Sequence, residues 1–514
     1  MSSGGETTED SSSTQVTHLT HSPGTQPDYV YDSSMAWWRA GIRRFLVQNL
    51  KAESRWIAAM QKCIRNPWLD TYFVYTSSLG THTFFMTILP ALFFFGYAKT
   101  GRGIVNVLAL GVYFSSLVKD LICSPRPFAP PVTRLVMGSH HLEYGFPSTH
   151  TTNSISMALY LYTILRQYRP SLAANTDFTV VSPITYSLTC GILIIYAVSI
   201  VFGRLYCAMH SFSDCIMGVA LGTAIWAAQV VFGDVFDDWL MTKSWIVPFV
   251  IISLGLFMVH QHAEPVDDCP CFEDAIAFIA VVIGVSIGHW HEETYSLSAT
   301  SGFFKSRTPG WDTPFSLSSL GFYVWLSFAS LKMIVGVMII FGWRILAKWV
   351  MHTVLPPLFR LLATLVELPR RRFYTPATDY KGSVPEEGVG LFYPIPSVID
   401  IPGMIHGDGV EVVATGANLL PRYSEGGIAL RGGGGGGGGG SSRSGTAAVG
   451  KGNGGTHTNT NSGGQRTMVR EEKEDEDKVA KKHYDADVLT KVVVYAGIGW
   501  GVSEFIPVMF ELLG

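Results

Sequence analysis

Charge is scarce in this chain. Asp, Glu, Lys and Arg make up 15% of its 514 residues, where a soluble domain carries about 25%. That deficit argues against an ordinary soluble domain. Basic residues form no stripe and the net charge is −3, so nothing points to a nucleic-acid partner. Cysteine is sparse as well. The seven cysteines are scattered and several lie inside apolar runs, so they read as small buried hydrophobes and not as a disulfide framework. The close pair Cys269-Pro270-Cys271 reads as structural or incidental, not as a redox centre. The first 30 residues hold no apolar core, which excludes a signal peptide and leaves the first spanning helix as an uncleaved insertion signal. The glycine run 432–440 has no strand before it and no GK[ST] after it, which excludes a phosphate loop.

What the chain does have is apolar length. It is 47% hydrophobic, with a mean hydropathy of +0.26 and repeated apolar runs near the length of a bilayer-spanning helix. The expected fold is all-α, a polytopic membrane helical bundle of about eight or nine transmembrane helices. Spans are expected near 77–98, 103–123, 148–167, 183–203, 212–233, 245–260, 273–290, 319–343 and 489–512, and 350–366, broken by Pro356-Pro357, is read as interfacial. The organisation follows from composition. Residues 1–34 are expected to be a disordered tail, and 35–66, mixing Trp37, Trp38 and Phe45 with basic residues, an amphipathic interfacial segment. A membrane domain at 67–290, which holds the motifs that follow and is expected to be the catalytic one on their account, and further membrane and interfacial helices at 291–367 come next. The segment 368–488 reads as a flexible low-complexity insertion, and 489–514 as a C-terminal transmembrane helix.

Three short segments carry chemistry: Lys119–Pro127 (KDLICSPRP), Gly145–His150 (GFPSTH) and Gly203–Asp214 (GRLYCAMHSFSD). The first follows span two, the second opens span three, and the third joins spans four and five. Ends of even spans and starts of the following odd spans share a membrane face, so all three segments meet at one interface. Lys119, Arg126 and Arg204 supply positive charge for a phosphate and its transition state. Ser148 and Thr149 open a helix whose free N–H groups favour an anion. His150 stands beside it, placed to protonate a leaving alkoxide. His210 and Asp214 are four residues apart, one helical turn, so that Asp214 accepts from one ring nitrogen and leaves the other free to attack phosphorus. His260, His262, Cys269 and Cys271 fall on the same face, whereas His289 and His291 fall on the opposite one, so the two HxH pairs cannot join into one metal site. No DxD or HxH-plus-carboxylate signature joins these groups, and no metal and no cofactor are expected.

These motifs resemble the type 2 phosphatidic acid phosphatase (PAP2) superfamily, whose pattern is K-x6-RP, then PSGH, then SR-x5-H-x3-D. Lys119, Arg126 and Pro127 match the first, Pro147, Ser148 and His150 the second, and Arg204, His210 and Asp214 the third. Thr149 replaces the usual Gly, and Gly203 the usual Ser. The PSTH form inside EYGFPSTH resembles the fungal long-chain-base and sphingosine 1-phosphate phosphatases. The resemblance implies His210 as nucleophile forming a phosphohistidine, Asp214 as its orienter and His150 as general acid and then base. Lys119, Arg126, Ser148, Thr149 and Arg204 would hold phosphate. It implies a sphingoid long-chain-base 1-phosphate as substrate, membrane lipid as surroundings, and the endoplasmic reticulum membrane with a lumenal site. Charge alone leaves orientation open, because the basic 35–66 stretch and the basic loops at Lys99–Arg102 and Arg166–Arg169 point in opposite directions. Another PAP2 lipid or polyprenyl (di)phosphate phosphatase, or a sphingolipid head-group phosphotransferase, satisfies the same motifs. The oligomeric state is left open.

Overall fold

The structure, a computed structural model, describes residues 22–78, 82–136, 143–168, 181–295, 320–379, 411–413 and 483–513. Residues 417–483 separate as a second unit, of which only His483 is described. The first unit, residues 1–416 and 484–514, carries the helical bundle. The described residues are overwhelmingly helical, in chain order α1 (Asp28–Ser34), α2 (Trp37–Ile64), α3 (Pro67–Ser78), α4 (His82–Phe94), α5 (Ala98–Ile122), α6 (Thr149–Gln167), α7 (Pro183–Tyr206), α8 (Phe212–Leu240), α9 (Ile246–His260), α10 (Cys271–Tyr295), α11 (Leu320–Ala363), α12 (Asp485–Trp500) and, after a π turn at Gly501–Phe505, α13 (Ile506–Leu513). Short strands at Arg134–Val136 and Glu411–Val413 pair antiparallel.

Among the described residues, six helices are long and apolar enough to cross a membrane: α5, α7, α8, α10, most of α11, and α12 through Phe510. That count is below the eight or nine expected, and the reasons are local. Within the run expected at 77–98, α4 has 13 residues with Pro90 inside it. Helix α6 opens with the polar residues THTTNS, and α9 has only 15 residues. Conversely, α11 runs unbroken through Pro356 and Pro357 to Ala363, where the sequence suggests a span followed by an interfacial piece.

The bundle is assembled by close backbone approaches. A Cβ added to Gly222 of α8 would lie 2.5 Å from the Thr152 carbonyl of α6, and one on Gly218 would lie 2.9 Å from the Ser148 carbonyl. These two glycines, four apart, let α8 lie directly against α6, the small-residue packing that serves where apolar surroundings give helices little other drive to associate. Helix α12 reaches α10 the same way, with Gly499 facing the Val281 carbonyl and Gly284 facing that of Ala496. Outward, α7 exposes Ile184, Leu188, Ile192, Ile194, Ile195 and Val198. An apolar face of this extent fits lipid, not water.

Two boundaries differ from the sequence-based expectation. The tail assigned to 1–34 is folded from residue 22: Tyr31 is buried, its hydroxyl donates to Asp267 at 2.8 Å, and the Gly24 N–H donates to the same carboxylate at 2.8 Å. Residues 1–21 lie outside the described residues. Helix α2 does not merely lie on the surface. It buries a stripe containing Ala40, Arg43, Val47, Leu50, Glu53, Ile57 and Gln61 while Trp37, Phe45 and Trp56 remain exposed. At the other end, Arg371 and Ala377, inside the stretch assigned to the insertion, pack on the bundle. Most of that insertion, 380–410 and 414–482, lies outside the described residues.

Candidate active site

The three motif segments converge at one end of α5, α6, α7 and α8. Helix α5 stops at Cys123, a C-cap with φ 55° whose N–H donates back to the Lys119 carbonyl. That left-handed residue, costly for a side chain other than Gly, turns the chain so that Arg126 re-enters the protein. Helix α7 ends at Tyr206, and Ala208, with φ 52°, folds the next residues back. The N–H groups of Met209 and His210 then both donate to the Arg204 carbonyl. Ser148 caps α6 by accepting from the Thr151 N–H, and its own N–H donates to the Asp214 carbonyl at 3.1 Å. This bond ties the starts of α6 and α8 together.

Helix α2 braces all of this. Arg43 donates to the carbonyls of Cys123 and Gly24 and pairs with Asp28. Glu53 accepts from the Ser213 N–H at 3.1 Å. Gln61 donates to the carbonyls of Thr133 and Tyr206, each at 2.8 Å. Three polar side chains at roughly helical spacing thus pin the loops that carry the motifs.

His210 is buried. Its Nδ1 lies 2.8 Å from the Gly145 carbonyl. A carbonyl only accepts, so Nδ1 carries the proton and Nε2 carries the lone pair. Nε2 lies 3.5 Å from Nη1 of Arg126. Asp214 is not the group that fixes this tautomer: its Oδ2 is 3.8 Å from Nδ1 and accepts from the Ser211 N–H at 2.7 Å, while Ser211 Oγ accepts from the Asp214 N–H. The carboxylate completes a capping box and still lies close enough to stabilise positive charge on the ring. Burial, then the charges of Arg126, Lys119 and Arg204, hold the His210 imidazole well below its ordinary pKa. The ring is therefore neutral and nucleophilic near pH 7.

Arg126 is fixed through Nε to the Glu143 carbonyl and through Nη1 to the Met209 carbonyl, both at 2.9 Å. Burial lowers it to about 10, which leaves it charged at neutral pH. Lys119 is buried, and its Nζ lies 2.6 Å from the Glu143 carboxylate. Arg204 is buried with Nε unpartnered. Thr149 accepts from Ser115 Oγ at 2.9 Å. His150, the second residue of α6, is partly exposed, whereas His210 is closed off. The residues singled out from sequence thus lie on the segments that converge here. Two contributors were not singled out: Gly145, whose carbonyl sets the His210 tautomer, and Glu143, whose carboxylate pairs with Lys119 and Arg126. Both stand in EYGFPSTH, immediately before the residues read as catalytic. A carboxylate two residues before that motif was the available signal.

At the position where the superfamily pattern has Ser, a Cβ on Gly203 would lie 3.1 Å from the Phe73 ring. Phe73 packs between Tyr206 and Phe202, so the glycine makes room for α3.

The cysteines correct the sequence reading in one respect: Cys269 and Cys271 are joined by a disulfide. They converge with the Asp120 carboxylate, but the bond between the sulfurs removes them as thiolate ligands.

Residues 100–236 match the PAP2 superfamily. The chain is 36% identical over 325 residues to a dihydrosphingosine 1-phosphate phosphatase of Schizosaccharomyces pombe, covering 63% of this chain and 73% of that protein. The chain belongs to the PAP2 superfamily. A dihydrosphingosine 1-phosphate phosphatase of Saccharomyces cerevisiae is 32% identical over 67% of this chain and 78% of its own length. The human sphingosine-1-phosphate phosphatase 2 is 26% identical over 46% of this chain and 55% of its own. No solved structure matches the chain. In this superfamily member, the matched residues 100–236 hold the three motif segments, all of α6 and α7, and most of α5 and α8.

Proposed function

We propose that this protein is a lipid phosphomonoesterase of the endoplasmic reticulum membrane that hydrolyses sphingoid long-chain-base 1-phosphates to free base and phosphate. The observation that carries the chemistry is the tautomer of His210, with its proton held on Nδ1 by the Gly145 carbonyl and its Nε2 lone pair beside Arg126. The relatives' names support the substrate class.

In the first step the Nε2 lone pair attacks phosphorus. The bond from phosphorus to the ester oxygen breaks, and the leaving alkoxide takes a proton from His150. Lys119, Arg126 and Arg204, together with the start of α6, hold the charge that spreads over the equatorial oxygens. Asp214 offsets the positive charge the ring gains. In the second step His150 takes a proton from water, the oxygen attacks phosphorus, and the bond from phosphorus to Nε2 breaks to release phosphate. Fixed cations supply the charge stabilisation that a metal supplies elsewhere, and we place the site on the lumenal side.

The test is phosphate release from dihydrosphingosine 1-phosphate in detergent with EDTA, comparing wild type with His210→Ala. Release by wild type alone, with acid-labile label retained on the protein after a rapid quench, is the expected result. No release from this lipid, with release from phosphatidate or a polyprenyl phosphate, would replace the substrate assignment. Label passed to ceramide instead of water would make the protein a transferase.

A further inference from the structure

We infer that Glu143 is a substrate-reading carboxylate that binds the primary ammonium adjacent to the phosphate ester. The inference rests on the proposed function and deepens it, because the residues that cradle phosphate do not touch anything that distinguishes one lipid phosphate from another.

Glu143 sits where a phosphate is needed. Its carboxylate lies 2.6 Å from Lys119 Nζ and 3.6 Å from Arg126 Nη2. Its own carbonyl accepts from Arg126 Nε at 2.9 Å. The backbone that comes next is anchored: the Gly145 N–H donates to the Ser124 carbonyl at 2.8 Å, and the Tyr144 hydroxyl donates to Asp267 at 2.9 Å. A phosphate dianion arriving at Lys119 and Arg126 takes the place of the carboxylate. Side-chain rotation moves Glu143 aside, yet its fixed backbone keeps it beside the bound phosphate.

Two anions side by side in a buried pocket repel, unless a cation lies between them. A sphingoid base 1-phosphate brings that cation. Its ammonium is on the carbon next to the esterified one, within reach of a carboxylate that flanks the phosphate. Phosphatidate and polyprenyl phosphates bring none, so for them Glu143 is a net repulsion. One residue therefore favours the amine-bearing substrate and disfavours its competitors, and specificity is the difference of those two effects. The same carboxylate re-covers Lys119 once phosphate leaves, which opposes retention of the product.

The experiment measures kcat/KM for dihydrosphingosine 1-phosphate, its N-acetyl derivative and octadecyl phosphate, in wild type, Glu143→Gln and Glu143→Asp. Wild type is expected to prefer the free amine. Glu143→Gln is expected to lower the ratio of amine-bearing to amine-free rates on the order of ten- to a hundredfold, and Glu143→Asp to restore part of it. The ratio is the readout, since a general loss from disturbing Lys119 and Arg126 lowers all three rates together and leaves it unchanged. An unchanged ratio in Glu143→Gln, with wild type still preferring the amine, overturns the role of Glu143 and leaves the proposed function standing. Wild type that hydrolyses octadecyl phosphate as fast as the sphingoid lipid overturns the ammonium reading. Wild type inactive on the sphingoid lipid overturns the proposed function as well.

Discussion

Two buried histidines at the same end of the bundle each lie near a carboxylate: His210 is 3.8 Å from Asp214, and His262 is 3.6 Å from Asp120. Proximity to a carboxylate does not distinguish them. At His210 a carbonyl fixes one nitrogen, the other meets Arg126, and Lys119 and Arg204 lie close enough to act on the ring. His262 has its Nδ1 near the Ala263 carbonyl, its Nε2 unpartnered, and its ring against Phe272 and Tyr113. Its neighbour Arg371 spends its guanidinium on the carbonyls of His262 and Ala263 and on the face of Phe272. What sets the His210–Asp214 pair apart is the cationic surrounding of its ring, and the proposed mechanism rests on that surrounding. The second pair is walled by the rings of Tyr113 and Phe272, and the proposed mechanism gives it no step.

The largest test of that contrast is a paired substitution. His210→Ala is expected to lower kcat by about 10⁴-fold or more, because no other group takes over nucleophilic attack. His262→Gln is expected to leave kcat within about tenfold, its effect appearing in thermal stability instead. Steady-state rates on the phosphate monoester, with melting of both variants in the same detergent, check both halves. A collapse of kcat in the His262 variant without loss of fold would erase the distinction.

The next test uses pH. Burial lowers His262 to about 4 from an ordinary 6.5, and burial with nearby cations pushes His210 down as well. Both groups are neutral in the folded protein and take up protons once unfolded below about 6.5. Stability contributed by this difference is complete above that pH and declines as pH falls toward 4. The decline approaches about 1.4 kcal/mol per pH unit per histidine, or about 3 kcal/mol for His262 over the interval. Unfolding midpoints measured from pH 7 to pH 4 are expected to fall more steeply in wild type than in His262→Gln. Parallel curves would remove the buried neutral ring as their cause.

How much of this was legible beforehand differs between the two pairs. Lys119, Arg126, Ser148, Arg204, His210 and Asp214 stand at fixed spacings in segments whose membrane face follows from counting spans. Their convergence therefore needed no packing information. His262 was placed on the same face by the same count, but its role was not legible, because Phe272, Tyr113 and Arg371 come from distant parts of the chain. Glu143 and Gly145 were within sight in EYGFPSTH, yet a carbonyl or an ion pair that acts across the fold leaves no spacing signature. Helix α2 was legible only in part, for a related reason. Its exposed Trp37 and Phe45 signal a membrane surface, while Arg43, Glu53 and Gln61 declare themselves only through the loops they hold. Among the described residues fewer helices than expected are long and apolar enough to span, because hydropathy averages over Pro90 and over the polar start of α6.

Asp214 gives a smaller test. Where a carboxylate fixes the tautomer of a catalytic histidine, replacing it by an amide lets the ring turn its proton the wrong way. Here the Gly145 carbonyl does that work, and Asp214 instead accepts from the Ser211 N–H. Asp214→Asn is therefore expected to cost roughly tenfold in kcat through lost charge near the ring, far less than His210→Ala, with KM little changed. Single-turnover phosphorylation of the protein isolates this step. A loss equal to that of His210→Ala would return the orienting role to Asp214.

The smallest effect is expected at Gly203. The superfamily pattern places a serine before the arginine, so Gly203→Ser restores the hydroxyl of that pattern. In this chain the new Cβ meets the Phe73 ring at 3.1 Å, and that ring is held in turn by Phe202 and Tyr206. The ring has to give by a few tenths of an ångström, at a cost of about 1 kcal/mol for a mildly overpacked site. Activity is expected to change by less than about threefold, since in the proposed mechanism Lys119, Arg126 and Arg204 supply the charge. Pairing the change with Phe73→Leu separates the two contributions. Relief of the stability loss without a gain in rate places the effect in the packing between α3 and α7. A rate gain that appears only in the double variant would show that the aromatic packing of α3, and not the chemistry of phosphate binding, accounts for the glycine.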